Sequence, residues 1–313
     1  MQNKKITSGF VSVVGRTNAG KSTLLNALAN MPLALVSKKA NATRKKMDFI
    51  LPFTNEQFDS QIIFLDTPGF TKESYTKEIL KKNLIDKYML KEANNAILES
   101  DLSLFISVAS LKENEMKNYE SFIKKYQKKH ILLLNKIDNV THAELLKILT
   151  FYEKYSKNYI SLIPLSAVNM KEKDKNLLLL EIAKNLPEHP HFYDEETLST
   201  TLMRDIYKEA IRECIYEFFS DEIPYKSDAR VVSVAEKANV IVIKAQIIVE
   251  KESQKAIIIG RGGKGIRALG TLARKKCELL SESKVFLELE VKVIHGWSKE
   301  KGGLKYLGYE MGE

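Results

Sequence analysis

Apolar and polar residues follow two different patterns along the chain, one before and one after a short proline-containing segment. In residues 1–186, short apolar runs typical of buried strands alternate with stretches whose apolar positions recur at helical spacing. The predicted strands are Phe10–Val14, Met47–Phe53, Gln61–Leu65, Asp101–Val108, Ile131–Leu134 and Ile160–Pro164, the second and third forming a hairpin. The predicted helices are Lys21–Asn30, Lys77–Ala96, Glu113–Lys128, Thr141–Lys154 and Lys173–Leu186. This alternation favours an α/β domain with a mostly parallel sheet covered on both faces.

Residues 187–196 break this pattern with prolines and charged residues, and we predict that they form a linker. The remaining residues, 197–313, follow a different order. The predicted elements are a long helix near Thr197–Phe219, strands near Ala229–Ala235 and Val240–Glu250, helices on both sides of glycines at 260–265, and a strand at Val285–Ile294. The pattern therefore predicts a second domain of the α+β class.

The composition is that of an ordinary globular protein. A length of 313 residues suits two domains of roughly 100–200 residues each, and 44% hydrophobic residues can supply a core for both. Cys214 and Cys277 stand outside any metal-type cluster, so we expect reduced thiols of a cytosolic protein. The N-terminus lacks a signal-peptide pattern, and no apolar run approaches the roughly 18 residues of a membrane span. We therefore expect a cytoplasmic protein whose membrane contact, if it has any, is peripheral.

The charge is unevenly distributed. The formal net charge is +9, which favours a polyanionic partner. Seven basic residues and no acidic residue lie between Lys255 and Lys276. Because a solvated helix face usually mixes both signs, this run marks the second domain as the place where a polyanion would bind.

A glycine-rich loop follows the first predicted strand and opens the first predicted helix. Residues 15–22, G-R-T-N-A-G-K-S, match the phosphate-binding pattern G-x-x-x-x-G-K-[ST]. In this pattern backbone N–H groups surround the phosphates, and the helix directs its positive end at them. We expect Lys21 to reach the β- and γ-phosphates and the Ser22 hydroxyl to ligate Mg²⁺. The predicted nucleotide-binding residues of this loop are Asn18, Ala19, Gly20, Lys21, Ser22 and Thr23.

The choice of base is indicated by Asn135-Lys136-Ile137-Asp138, which directly follows a predicted strand. Guanine carries an N1–H and a 2-amino group on one edge, and the carboxylate of Asp138 can accept from both, whereas adenine offers neither. The aliphatic stem of Lys136 would cover the base, and Asn135 would tie neighbouring loops together. Ser166-Ala167, after the next strand, is in position for a backbone N–H that faces guanine O6.

Two segments between these motifs carry candidate switch residues. Asp66-Thr67-Pro68-Gly69 ends a predicted strand; Asp66 would hold Mg²⁺ through water, and the Gly69 amide would sense the γ-phosphate. In the preceding basic loop, Thr43 is the candidate that closes on Mg²⁺ and the γ-phosphate when GTP is bound. The candidate catalytic residues are therefore Lys21, Thr43 and Gly69, and the candidate Mg²⁺ ligands are Ser22, Thr43 and Asp66.

The residue after Gly69 is Phe70, where many GTPases carry a glutamine that orients the attacking water. A phenyl ring cannot do so, and we therefore expect slow intrinsic hydrolysis unless another group or a partner completes the site. Asn18 is a candidate ligand for K⁺, which could supply positive charge; the alternative is that Asn18 only shapes the loop.

The second domain contains Ile257-Ile-Ile-Gly260-Arg261-Gly262-Gly263 within its basic run. A G-x-x-G turn between helices brings the backbone close to a sugar-phosphate chain, and KH domains use it to bind single-stranded RNA. The order helix–strand–strand–helix–turn–helix–strand is that of a type II KH domain. The predicted RNA-binding residues are Gly260, Arg261, Gly262, Gly263, Lys264, Arg267, Arg274 and Lys275.

Nearly the whole chain resembles the Era family of bacterial ribosome-assembly GTPases. The resemblance rests on G-R-T-N-A-G-K-S at 15–22, A-T-R at 42–44, D-T-P-G-F at 66–70, N-K-I-D at 135–138, D-E-I-P-Y at 221–225, I-I-G-R-G-G at 258–263 and V-K-V-I-H-G-W at 291–297. It assigns nucleotide-site roles to Asn18, Lys21, Ser22, Thr43, Asp66, Gly69, Asn135, Lys136, Asp138 and Ala167. Thr17 replaces a proline and Ala42 a threonine usual in the family, and neither change removes a predicted ligand.

The resemblance implies a GTP/GDP switch with Mg²⁺ that binds small-subunit ribosomal RNA near its 3′ end and assists maturation of the small ribosomal subunit. It also implies peripheral contact with the inner membrane, and we expect a monomer. Two other interpretations stay open: an RNA-binding scaffold with a structural nucleotide, and a membrane-associated cell-cycle GTPase with incidental RNA binding.

Overall fold

The computed structural model describes residues 4–29, 43–69, 83–194 and 197–310. These residues form two compact units. The first contains the described residues up to Thr200 apart from 83–89, and the second contains 83–89 together with the chain from Thr201. Each unit has its own sheet and its own hydrophobic core. The α/β and α+β classes expected of the two parts are confirmed.

The first unit is built around a six-stranded sheet within the described ranges, in the order β2-β3-β1-β4-β5-β6. Its strands are β1 Lys5–Gly15, β2 Met47–Thr54, β3 Phe58–Asp66, β4 Leu102–Val108, β5 His130–Asn135 and β6 Ser161–Pro164. β2 pairs antiparallel with β3, which confirms the predicted hairpin, and the remaining neighbours pair in parallel. Every side chain of β5 is buried, as a parallel strand covered on both faces requires.

The helices of this unit connect those strands. They are α1 Lys21–Ala29, α2 Leu84–Glu99, α3 Glu113–Tyr126, α4 His142–Glu153 and α5 Glu172–Asn185, and α2 belongs to this unit from Leu90 onward. The start of α4 has a clear local cause, because Thr141 and Glu144 form a reciprocal capping box. α2 was predicted to begin at Lys77, but residues 77–82 lie outside the described part of the chain.

The parallel register brings the predicted functional loops to one edge of the sheet. Val13 of β1 pairs with Asp66 of β3, Gly15 with Ile106 of β4, and Val108 of β4 with Asn135 of β5. Carboxyl ends of parallel strands meet at a common edge, which is where ligands bind in open α/β sheets. The loops after β1, β3 and β5 therefore surround one site.

The segment predicted as a linker is irregular where it is described, but hydrogen bonds attach it and the residues after it to β3 and β2 of the first sheet. The Gln61 side chain accepts from the backbone N–H groups of Phe192 and Tyr193 at 2.8 and 3.0 Å and donates to the Tyr193 carbonyl at 2.7 Å. Further along, the Ile50 N–H of β2 donates to the Leu198 carbonyl at 2.8 Å. Satisfying the free edge of β2 in this way holds the segment in place.

The second unit contains a three-stranded sheet, in which β7 and β8 are antiparallel and β8 and β9 are parallel. Its elements are α6 Met203–Phe218, α7 Ile223–Lys226, β7 Ser227–Lys237, β8 Val240–Val249, α8 Glu252–Ile259, α9 Lys264–Ser281, β9 Val285–Val293 and α10 Lys301–Tyr306. This order matches the predicted KH arrangement. The short α7 and α10 were not predicted, because neither has enough residues to show a helical period.

Alternate residues of β8 pack against α6 and α9 to form the core of this unit. Cys214 and Cys277 are free thiols within that core, and burial raises the pKa of each to about 12. Both are therefore neutral and enclosed, which explains them as small core residues.

Candidate functional site

Lys21 begins α1 directly after the glycine-rich loop. Its side chain is 7% exposed, and Nζ donates to the carbonyls of Gly15 and Arg16, both at 3.3 Å. Burial lowers the pKa of Lys21 to about 8, opposed by the nearby charge of Asp66. A partly desolvated cation beside a helix N-terminus is well placed for phosphate oxygens.

Asn135 joins three loops. Its Nδ2 donates to the Ala19 carbonyl at 2.8 Å, and its Oδ1 accepts from the N–H groups of Lys136 and Ala167 at 2.8 and 2.9 Å. A Cβ on Gly20 would lie 2.2 Å from Asn135 Nδ2, so glycine is required for this approach. The glycine-rich loop, the N-K-I-D loop and the Ser166-Ala167 loop are thus locked together by one buried side chain.

The predicted base-binding residues lie around Asn135. Asp138 is exposed and accepts a hydrogen bond from the Ser166 hydroxyl. Lys136 adopts a left-handed conformation, with φ 66° and ψ 36°, and its Nζ donates to the Asn18 carbonyl at 2.7 Å. Because the Ala167 amide donates to Asn135, a contact of that amide with guanine O6 would have to share the donor.

The predicted Mg²⁺ ligands present hard oxygen donors. Thr43 Oγ1 donates to Asp66 Oδ2 at 3.1 Å, and both side chains are buried. Ser22 is half-buried in the first turn of α1, as is the predicted nucleotide-binding residue Thr23. The described ranges hold no cluster of three or more histidine, cysteine or acidic residues. Two hydroxyls and one carboxylate fit Mg²⁺, which takes its other ligands from water and phosphates.

Gly69 lies against the glycine-rich loop. A Cβ at Gly69 would stand 2.8 Å from Thr17 Cγ2 and 2.9 Å from Thr17 Cα and N. Some predicted features of this region, namely Phe70, Ala42 and the part of the basic loop that precedes Thr43, lie outside the described residues. Asn18 is exposed, with φ 62°, and its proposed role toward K⁺ stays a prediction.

The G-x-x-G turn joins α8 to α9. Gly260, Gly262 and Gly263 have positive φ values of 68°, 61° and 75°, and a Cβ on Gly262 would meet nothing within 4 Å. At about 100° per residue, the predicted RNA-binding residues of α9 share an arc of roughly 100°. These residues are Lys264, Arg267, Arg274 and Lys275; with Arg261 of the turn, all but the half-buried Arg274 are exposed.

Two cations of the basic run have acidic partners. Arg274 Nη1 donates to Glu278 at 2.8 Å, which reduces its availability for RNA. Lys276 lies on another face of α9 and pairs with Glu217 at 2.7 Å and Glu213 at 3.0 Å. Local sequence does not reveal the second pair, because its acidic members belong to α6.

Sequence reasoning missed one residue beside the nucleotide loop. Glu115 of α3 is 4% exposed and binds the guanidinium of Arg16, the second residue of that loop. Its only sequence signal is an arginine in the loop that would need a partner.

No helix in the described ranges is long and apolar enough to cross a lipid bilayer.

Comparison with known proteins supports both the GTPase prediction for the first part of the chain and the KH prediction for the second. A family model described as a 50S ribosome-binding GTPase matches residues 10–136, and a KH-domain model matches residues 222–298. Fold and site together define a P-loop GTPase joined to a KH domain. GTPase Era of Helicobacter pylori (strain G27) is 45% identical over 306 residues, which cover 97% of each chain. The chain belongs to the Era family of GTPases.

Other relatives and solved structures agree. GTPase Era of Campylobacter concisus (strain 13826) is 41% identical over 96% of this chain and 99% of that protein. A crystal structure of Era in complex with MgGDPNP and nucleotides 1506–1542 of 16S ribosomal RNA matches with a TM-score of 0.87 and 30% identity, covering 98% and 100% of the two chains. A crystal structure of a point variant of Aquifex aeolicus Era bound to GDP.AlF4- matches with a TM-score of 0.86 and 31% identity, covering 97% and 100%.

Proposed function

We propose that this protein is a switch that binds GTP and GDP, hydrolyses GTP to GDP and phosphate, and binds small-subunit ribosomal RNA near its 3′ end to assist assembly of the small ribosomal subunit. The observation that carries the proposal is a guanine-type nucleotide site and a basic G-x-x-G turn in one chain. It is supported by the related Era that was crystallised with MgGDPNP and nucleotides 1506–1542 of 16S ribosomal RNA.

In the nucleotide site, Lys21 and the N-terminus of α1 receive the β- and γ-phosphates, and Asp138 accepts from the guanine edge. Ser22 and Thr43, with Asp66 through water, would hold Mg²⁺, which supplies positive charge toward the phosphate oxygens. The Gly69 amide donates to the γ-phosphate. Loss of that phosphate on hydrolysis releases Thr43 and Gly69, which is how the site reports the bound nucleotide.

In the second domain, the G-x-x-G turn approaches the RNA backbone, and the exposed cations neutralise phosphates. The residues concerned are Arg261, Lys264, Arg267 and Lys275, with Arg274 contributing once it leaves Glu278. We place the GTPase domain at 1–186, the connecting segment at 187–196 and the KH domain at 197–313.

The first test measures binding of a short RNA from the 3′ end of small-subunit ribosomal RNA to the full-length protein. Binding is compared with a non-hydrolysable GTP analogue, with GDP and without nucleotide, all with Mg²⁺. We expect tighter binding with the analogue. Equal affinity in the three conditions would show that the nucleotide does not control this RNA, and would favour a scaffold with a structural nucleotide.

Turnover separates the enzyme from that scaffold. We expect slow GTP hydrolysis that increases when K⁺ replaces Na⁺, or when the ribosomal RNA is added. A rate that stays at background under both conditions would contradict the proposed switch cycle.

We further propose that the protein acts in the cytoplasm as a monomer, with peripheral contact with the inner membrane. Fractionation of cells that produce the full chain, compared with cells that produce residues 1–186, tests the location. Ribosomal association that is lost with residues 187–313 would support the assembly role, and membrane association that persists would favour a membrane-associated cell-cycle GTPase.

A further inference from the structure

A partly buried ion pair connects the glycine-rich loop to α3. Arg16 Nε donates to Glu115 Oε1, and Arg16 Nη1 donates to the Thr17 carbonyl at 3.0 Å. The Arg16 side chain is 33% exposed, whereas that of Glu115 is 5% exposed. The carboxylate is therefore the fixed, enclosed partner, and the guanidinium reaches it from the loop.

Glu115 is itself held by the end of β4. Its Oε2 accepts from the Val108 N–H at 3.3 Å and from the Ser107 hydroxyl at 3.4 Å. It lies in the first turn of α3, where a negative charge interacts favourably with the helix dipole. A buried carboxylate is costly unless it is paired and hydrogen-bonded, and these contacts satisfy that condition.

The loop residues fixed by this pair stand between two predicted phosphate-contacting groups. The Arg16 carbonyl accepts from Lys21 Nζ at 3.3 Å, and the Thr17 backbone lies so close to Gly69 that a Cβ there would be 2.9 Å from Thr17 N. A displacement of residues 16–17 would therefore move the Thr17 atoms that Gly69 packs against. Small displacements of positioning groups have large effects on bound phosphate.

We propose that Glu115 is a positioning residue for the γ-phosphate: acting through Arg16, it fixes residues 16–17 so that Gly69 can engage GTP, and so raises the preference for GTP over GDP. Glu115 does not touch the nucleotide, and its effect passes through the loop. This inference rests on the proposed role of Gly69 and adds a residue to that site.

The test is Glu115→Gln in the full-length protein, which keeps the shape of the side chain and removes its charge. Kd values for GDP and for a non-hydrolysable GTP analogue, both with Mg²⁺, are measured together with kcat. We expect the analogue Kd to rise about tenfold and the GDP Kd by less than about threefold, with a lower kcat. Arg16→Gln breaks the same pair from its more exposed side and should give the same split, so the test survives if Glu115→Gln fails to fold.

The double variant shows whether Glu115 acts through Arg16. If it does, the combined change in the ratio of the two Kd values is no larger than either single change. The matched control is Glu113→Gln, an exposed carboxylate of the same helix that pairs with Lys117, and it should leave both Kd values unchanged.

Three results would overturn the inference. An equal loss of GDP and analogue affinity, with a lower melting temperature, would make Glu115 a purely structural residue. Additive effects of the two substitutions would separate Glu115 from Arg16. An unchanged ratio in Gly69→Ala would show that the proposed role of Gly69 is wrong, and the inference would fall with it; a changed ratio there but not in Glu115→Gln would refute this inference alone.

Discussion

The proposed nucleotide site and the proposed RNA-binding surface around the G-x-x-G turn, here called the G-x-x-G surface, present their charged side chains in opposite ways. In the nucleotide site, Lys21 and Asp66 are buried, and Asn135 locks three loops together. On the G-x-x-G surface, Lys264 and Arg267 project into solvent from one arc of a helix. A site that distinguishes one base and one phosphate needs fixed donors and acceptors, whereas a flexible polyanion is held by exposed charges that adjust to it.

This difference has an energetic consequence. Charge interactions in the buried site act at low effective dielectric and are screened little, but exposed cations are screened within about 8 Å at physiological salt. Nucleotide affinity should therefore depend on single hydrogen bonds, and RNA affinity on the number of cations and on salt concentration.

The largest expected effect comes from Asn135→Ala, which breaks the hydrogen bonds that hold the three loops of the nucleotide site together. It removes three hydrogen bonds, each contributing about 0.5–1.5 kcal/mol, so we expect nucleotide affinity to fall roughly 100-fold. Isothermal calorimetry with GDP measures the change. Asn139→Ala, an exposed neighbour in the same loop, is the control and should bind normally. Near-normal affinity of Asn135→Ala would mean that the loops hold their positions without the hydrogen bonds of Asn135.

Asp138→Asn tests the base. The amide presents a donor where the carboxylate accepted, so we expect GTP affinity to fall about 10–100-fold and xanthosine triphosphate to be preferred. Competition between the two nucleotides measures the exchange. Unchanged base preference would refute the guanine pocket.

Gly262→Asp brings a negative charge to the centre of the G-x-x-G surface. The position is open, and aspartate tolerates a left-handed conformation, so the domain should still fold. We expect RNA affinity to fall about tenfold and nucleotide affinity to stay unchanged. RNA binding that survives in a fluorescence-anisotropy titration would move the RNA site elsewhere.

A smaller effect separates two cations of α9. Arg267→Gln should weaken RNA binding a few-fold and lower the slope of log K against log salt by about 0.7, the value for one phosphate contact on a single strand. Lys276→Gln is the matched control, because Lys276 pairs with Glu213 and Glu217. It should leave the salt slope unchanged and lower the melting temperature instead. Equal slopes in both variants would contradict this division of the helix faces.

The smallest effect concerns the stability of the first unit. His130 begins β5; its Nδ1 donates to the Lys128 carbonyl at 2.8 Å, and its Nε2 accepts from the Tyr119 hydroxyl at 2.9 Å. Burial lowers the pKa of His130, opposed by the bond to Lys128. The unfolded chain therefore takes up the proton first as pH falls below about 6.5, and the stability contributed by neutral His130 is lost below that pH.

For one such group the slope cannot exceed about 1.4 kcal/mol per pH unit. Urea unfolding of the full chain between pH 7.5 and 5, compared with His130→Gln, measures it. Below pH 6.5 the free energy of unfolding should fall less steeply in the variant than in the unaltered chain. Identical pH profiles would show that His130 does not titrate differently on unfolding.

The central strands of both sheets and the longer helices could be predicted from the sequence, because each carries enough residues to show its period. Their ends could not: β1 runs from Lys5 to Gly15, well beyond the predicted Phe10–Val14, since its extra residues pair with β3. The long helix of the second domain begins at Met203, six residues after its predicted start. Pairing and packing with distant segments set such limits.

The chemistry of each loop can be read from the sequence alone, because the glycines beside Lys21 and Arg261, and the N-K-I-D segment that ends in Asp138, dictate which groups a short stretch of chain can present. How those loops are held depends on contacts between distant segments. Asn135 reaches Ala19 across 116 residues, and Glu115 reaches Arg16 across 99. The tertiary structure also decides that Lys276 faces Glu213 while Arg267 faces solvent. Contacts at such separation leave no local pattern, since they depend on the register of parallel strands and the packing of helices, which the chain acquires only when the core forms.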